Sequence, residues 1–245
     1  MPKLLLREVF SVSRQSLHIQ VFLPFLLPTL FYILTTSYLF QYLGEGLLLF
    51  QKGGDALAFV YQWAVFILIA LLIYLILMIF AFNLSSILLR DFATSGKKNY
   101  INSIKEAYSK IFKVLIVNIM AFIIFLTGIL FYAVHPILII MGFFLAPFLC
   151  FVSTSIIIDN LPPFKAIKNS ILLALHYTMP SFFLFVFSFF VLVAIPLSIS
   201  SLLYYFFSAD LLGKFIIYGI PILEMIFATY IAILVTVAYL NYRGY

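Results

Sequence analysis

Residues 58–89 read AFVYQWAVFILIALLIYLILMIFAFNLSSILL, without one Asp, Glu, Lys or Arg. A helix needs about 20 apolar residues to cross a hydrocarbon core of about 30 Å. This run exceeds that length, so it is expected to tilt or to project into the cytoplasm. Its apolar character is continuous and does not alternate in short units, which favours a spanning helix over a barrel strand. Working outward, 66% of the chain is hydrophobic and only 9% is charged. A soluble domain carries about a quarter charged residues. The bilayer is therefore the solvent.

Five further stretches are long and apolar enough to span, giving six predicted transmembrane helices at approximately 20–43, 58–89, 111–134, 136–158, 181–207 and 215–240 within a single transmembrane domain, 1–245. The third and fourth are divided only by His135-Pro136, a tight turn. The first follows a basic N-terminus but is longer than a signal h-region and lacks a small-residue cleavage site, so it reads as a retained helix. Of the 14 Lys and Arg residues, all but Lys52 and Lys214 fall on one side of this topology. Basic residues stay on the cytoplasmic side in short loops, which puts both termini in the cytoplasm; low charge and a single cysteine suit a prokaryotic cytoplasmic membrane. The net charge of +6 leaves no basic face for a nucleic-acid partner. The single cysteine, Cys150, excludes a disulfide framework.

The stretch IIIDNLPPFKAIKNSILLALHYTMPSFFLFVFSFF, 156–190, breaks the grease with an acid, two prolines and two lysines. It marks a return to the cytoplasmic face. Phe164, Ile167, Ile171, Ala174 and Leu175 form one stripe of a helix whose other side carries Lys165, Lys168, Asn169 and His176, and Pro162-Pro163 stands at its start. Residues 100–113 repeat the pattern, with Tyr100, Ile101, Ile104, Ala107, Tyr108, Ile111 and Phe112 opposite Lys105, Glu106, Lys110 and Lys113. Near the N-terminus Leu5, Val9 and Val12 oppose Lys3, Arg7 and Arg14. The expected architecture is thus an all-α polytopic bundle with three cytoplasmic amphipathic interfacial helices, each preceding two spans. The strings REVFSVSRQS, KEAYSKIFKV and FKAIKNSILL align on Val9, Ala107 and Ala166. Two origins account for this: a three-fold internal repeat, or one amphipathic pattern imposed three times by the interface.

An apolar segment ending at Asp159-Asn160, followed by Pro162-Pro163 and by a helix with Ala166 and Ser170 four residues apart, resembles a signature of six-span prokaryotic membrane proteins. These are related to the membrane domain of glycerophosphodiester phosphodiesterases. The likeness covers the six-span layout and rests on Asp159, Ala166 and Ser170. It implies a shared membrane fold. The hydrolase chemistry of such proteins belongs to a separate soluble domain outside these 245 residues, so no catalytic residue is carried over.

Among candidate sites, Glu224 is the acid that lies deepest within a predicted span, about 15 Å from the Lys214 end at 1.5 Å per residue. Intramembrane acids are expensive and mark either an internal hydrogen bond or an ion or substrate site. With no intramembrane cation for a partner, Glu224 is expected to be protonated or bonded to a Tyr, Ser or Asn. Asn83 and Asn118 lie in the cytoplasmic leaflet and read as interhelical hydrogen-bonding residues. Lys105, Lys110, Lys113, Lys165 and Lys168 are expected to face anionic lipid headgroups or a protein partner. The Lys105-Glu106-Ala107 string invites comparison with the coupling loop of ATP-driven importers, whose partner is an ATPase subunit, but the glycine of that loop is missing. Metal or cofactor binding and catalysis find no support: the histidines are scattered, and no carboxylate pair or glycine-rich phosphate loop is present. The reading is a non-enzymatic membrane protein in lipid-related transport or envelope organisation, or a membrane partner of another subunit. The rival is a secondary carrier or permease subunit that uses Glu224 as its protonatable group.

Overall fold

The computed structural model describes residues 6–16, 19–51, 56–95, 100–130, 146–206 and 213–244. Among them the regular structure is helical and no strand occurs. The helices are α1 (Leu6–Gln15), α2 (Ile19–Gln51), α3 (Ala56–Ser95), α4 (Tyr100–Leu130), α5 (Val152–Asp159), α6 (Pro163–His176), α7 (Thr178–Phe189), α8 (Ile195–Phe206) and α9 (Ile220–Arg243). A 3₁₀ turn, Ala146–Leu149, precedes α5. Four segments are long and apolar enough to cross a membrane: Gln20–Leu39, Trp63–Thr94, Thr178–Ile199 and Phe215–Arg243. They correspond to the first, second, fifth and sixth predicted spans. Of the fourth, the described part is the shorter apolar stretch Ala146–Asp159. The turn at His135-Pro136 lies outside the described residues, as does Lys52.

The second amphipathic segment is not a separate interfacial helix. Residues 100–113 run without a break into the predicted third span as the 31-residue α4, because no proline or glycine interrupts the chain from Tyr100 to Thr127. The third segment does end, at Tyr177 (φ −121°, ψ 50°), just before Pro180.

Two helices carry a π turn, and both have the same local cause. Phe190–Ala194 joins α7 to α8, and Phe215–Gly219 leads into α9. In each the amide of the following isoleucine, Ile195 or Ile220, donates five residues back to the phenylalanine carbonyl. The next residue is proline, Pro196 or Pro221. Proline has no N–H to continue the regular ladder, and the wider turn accommodates its ring. At the second turn Gly219 leaves room for the Phe215 ring, which a Cβ there would strike.

The core sits at the basic end of the bundle. Residues 83–89 of α3, 154–158 of α5 and 231–240 of α9 are buried, and these three helix ends pack against one another pairwise. Around them the amphipathic segments are arranged in a cycle, with α1 on α9, α4 on α3 and α6 on α5. Val9, Ala107 and Ala166, the positions aligned from sequence, are each 0% exposed. The inward face of α4 is Ser103, Ala107, Lys110, Val114 and Val117, while Ile101, Tyr108 and Phe112 point outward. Likewise α6 buries Ala166, Ser170 and Ala174 and exposes Phe164, Leu172 and Leu175. Small residues let helix backbones approach closely where the surroundings are as apolar as the interior.

Hydroxyls tie the buried helix ends together. Ser85 donates to the Val21 carbonyl of α2 at 3.0 Å, and the hydroxyls of Ser86 and Thr236 share a hydrogen bond of 2.8 Å between α3 and α9. Ser85-Ser86-Ile87-Leu88-Leu89 in α3 is matched by Thr154-Ser155-Ile156-Ile157-Ile158 in α5.

Candidate functional site

The Asp159–Ser170 motif builds the turn between α5 and α6. Asp159 closes α5, and Asn160 follows in the left-handed region (φ 52°). That conformation suits asparagine, whose short polar side chain tolerates it. The Asp159 carboxylate accepts from the Tyr239 hydroxyl at 2.7 Å and from Arg243 Nε at 2.9 Å, which fixes the turn to the end of α9. Asn169 donates to both Ser155 Oγ and Tyr239 Oη at 3.0 Å. Ser170 donates to the Phe148 carbonyl at 2.7 Å and accepts from the Phe151 amide at 3.1 Å, so it caps the start of α5 from outside. Ala166 gives the close approach that makes these bonds reachable. All three motif residues hold helices together.

A second node lies where α3 meets α4. Arg90 forks onto Glu106 with Nη1–Oε1 and Nη2–Oε2 distances of 2.8 Å, and its Nε and Nη2 also reach Asp91. Ser103 donates to the other Asp91 oxygen at 3.1 Å. Lys110 is 6% exposed; its ammonium donates to Glu106 Oε1 and to the Ile157 carbonyl of α5, both at 2.6 Å. A cation near the C-terminal carbonyls of a helix is favourably placed. Lys110 is thus turned inward, away from the set expected to face headgroups or a partner. Lys105, Lys113, Lys165 and Lys168 are exposed. The Glu106 carboxyl is held well below the usual range, at about 2, chiefly by the Arg90 hydrogen bonds and then by Lys110, against the opposing effect of burial.

The intramembrane polar residues do not form one site. Asn83 donates to the Ala107 carbonyl at 3.4 Å, while its buried Oδ1 has no partner. Glu224, half-buried on α9, accepts a long hydrogen bond of 3.4 Å from the Tyr74 hydroxyl of α3. The Tyr74 ring packs against Tyr32 of α2 at 5.6 Å, so the expected tyrosine partner is present. Asn118 stands elsewhere: its Oδ1 accepts from Ser153 Oγ at 3.0 Å, joining α4 to α5.

Asn118 also lines an open-sided cavity of about 400 Å³ between α3, α4, α5, α7 and α9. Its walls are apolar, with Met78, Ile79 and Phe82 from α3, Val114 from α4, Leu184 and Phe185 from α7, and Ile231 and Val235 from α9. Its polar lining residues are Asn118, Ser153, Ser188 and Cys150, of which Asn118 and Ser153 are hydrogen-bonded, and among the described residues no charged side chain lines it. Largely apolar walls with a few convergent polar groups are the usual make-up of a small-molecule site, at about 300–1,000 Å³. Sequence reading singled out Asn118 and missed Ser153 and Ser188, since serines in spans carry no signal of their own. Among the described residues no three His, Cys, Asp or Glu side chains come together as a metal set. Searches against family models, curated proteins and solved structures match nothing to this chain.

Proposed function

We propose that the protein is a six-span, non-enzymatic protein of a prokaryotic cytoplasmic membrane, with both termini in the cytoplasm, that holds a lipid-like amphiphile within the bilayer. The cavity beside Asn118 carries this reading. It is bounded by three of the membrane-length segments, its lining is mostly apolar, and it includes a few polar groups, which matches a molecule with a chain and a small polar group. The basic end is a fixed platform in this account. Its buried ion pairs and the Asp159 turn lock the helices around the inner mouth of the bundle. The exposed Lys105, Lys113, Lys165 and Lys168 meet anionic headgroups there, at about 1 kcal/mol each near a charged leaflet.

The cyclic packing of α1 on α9, α4 on α3 and α6 on α5 supports an internal triplication, as do the buried positions Val9, Ala107 and Ala166. Kinship with the six-span family related to the phosphodiesterase membrane domain belongs to the same proposal and rests on Asp159, Ala166 and Ser170. A carrier function through Glu224 is the second reading, favoured by its place next to Pro221 and the π turn.

The test is photocrosslinking in proteoliposomes with a diazirine-bearing acyl methyl ester. Labelled peptides should map to α4 and α7 around Val114 and Phe185. Filling the cavity with Ser188→Trp should remove the label while the protein still elutes as a folded species. Labelling spread evenly over the outer helix faces, unaffected by Ser188→Trp, contradicts the proposal.

A further inference from the structure

We infer that the cavity selects an acyl chain bearing a neutral hydrogen-bond acceptor, an ester carbonyl, and that Asn118 is the residue that recognises it. This rests on the amphiphile-binding reading above and adds the chemistry of the occupant. The hydrogen bonds of the polar lining residues decide it. Ser188 gives its hydroxyl proton to the Leu184 carbonyl one turn back, at 2.7 Å. Ser153 gives its own to Asn118 Oδ1. That bond sets the orientation of the amide and leaves the Asn118 Nδ2 group with two N–H donors and no acceptor among the described residues. The Cys150 thiol is at most a weak donor.

With their protons given away the two hydroxyl oxygens only accept, so the Asn118 amide is the lining group with free N–H donors, and it asks for an acceptor. With no Lys, Arg or His among the described lining residues, an anionic carboxylate would enter without a counter-charge, whereas an ester carbonyl enters neutral. The remaining volume suits the chain. At about 30 Å³ per water-sized group, 400 Å³ takes roughly a dozen such groups.

The experiment is competition against the same photoprobe, using the full chain in proteoliposomes, with methyl laurate and dodecane added at equal mole fractions in the lipid. These competitors share a chain length and differ in the ester. Methyl laurate should displace the cavity label at a concentration about three- to tenfold lower than dodecane, the worth of one hydrogen bond. Asn118→Leu should abolish that difference while leaving the label in the cavity. Ser153→Ala, which releases the amide from its fixed orientation, should reduce it. Equal competition in the unaltered protein overturns the inference, as does an ester preference that survives Asn118→Leu; in both cases cavity binding itself stands. If the probe never labels the cavity, the amphiphile reading falls and the inference with it.

Discussion

Substituting Glu106→Gln removes the carboxylate that Arg90 and Lys110 share. Arg90 keeps Asp91, but Lys110 is left with an almost wholly buried ammonium that has neutral acceptors, the Ile157 carbonyl and the new amide oxygen, and no counter-charge from position 106. Removing one member of a buried pair costs about 3–5 kcal/mol, most of it the stranded partner. The Glu106 side chain is 31% exposed, so solvent screening lowers the expected loss to roughly 2–3 kcal/mol. Adding Lys110→Met takes away the stranded charge. The double variant should therefore be more stable than the sum of the two single losses implies, with a coupling of about 1–2 kcal/mol. Equilibrium unfolding in micelles or nanodiscs at pH 7 measures all four corners of the cycle.

The pH dependence has a definite sign. The folded carboxyl titrates at about 2, below the unfolded value of about 4.3. Its contribution is present in full above the unfolded value and is lost as pH falls from there toward 2. Glu106→Gln should flatten that acid limb and leave the alkaline side unchanged. A Glu106→Gln loss under 0.5 kcal/mol, by rough allowance for surface substitutions, or strict additivity with Lys110→Met, refutes the reasoning.

Three further outcomes are expected. Ala166→Leu puts a large side chain where α6 meets α5 with no free space, and should cost about 1–3 kcal/mol; Ala166→Gly should be milder, and thermal melts in detergent separate them. Gly219→Ala should destabilise because its Cβ meets the Phe215 ring, and Phe215→Ala in the same chain should recover most of the loss; failure of that rescue removes the steric explanation. Glu224→Gln gives up one long hydrogen bond to Tyr74 and should change unfolding stability by about 1 kcal/mol or less. Gradient-driven solute uptake that disappears in this variant would establish the carrier reading instead.

The helical class was legible because hydrocarbon imposes a length. Continuous apolar runs such as 58–89 admit one structure, and α3 is that helix. The three positions aligned from sequence, Val9, Ala107 and Ala166, are each buried. Which face turns inward was not legible. The small and hydrogen-bonding face of 100–113, with Ser103, Ala107 and Lys110, packs while Tyr108 and Phe112 point out, because the partner helices set that choice and local periodicity does not name them. Lys110 was assigned to the surface for the same reason: local charge pattern cannot show that Ile157, 47 residues away in sequence, supplies a carbonyl. The π turns before Pro196 and Pro221 are visible afterwards as FVLVAIP and FIIYGIP, but proline within a span permits several local adjustments and sequence does not choose among them. The cavity was invisible because Asn118, Ser153 and Ser188 come together only through packing.

Everything proposed for this protein requires its basic end to face the cytoplasm, with Lys214 across the bilayer. Cysteine scanning measures this directly: single cysteines in a Cys150→Ser background, as Lys105→Cys, Lys168→Cys and Lys214→Cys, exposed in intact cells to a membrane-impermeant maleimide. Position 214 alone should be labelled, with positions 105 and 168 labelled only after the membrane is opened. Labelling of 105 or 168 in sealed cells would contradict it.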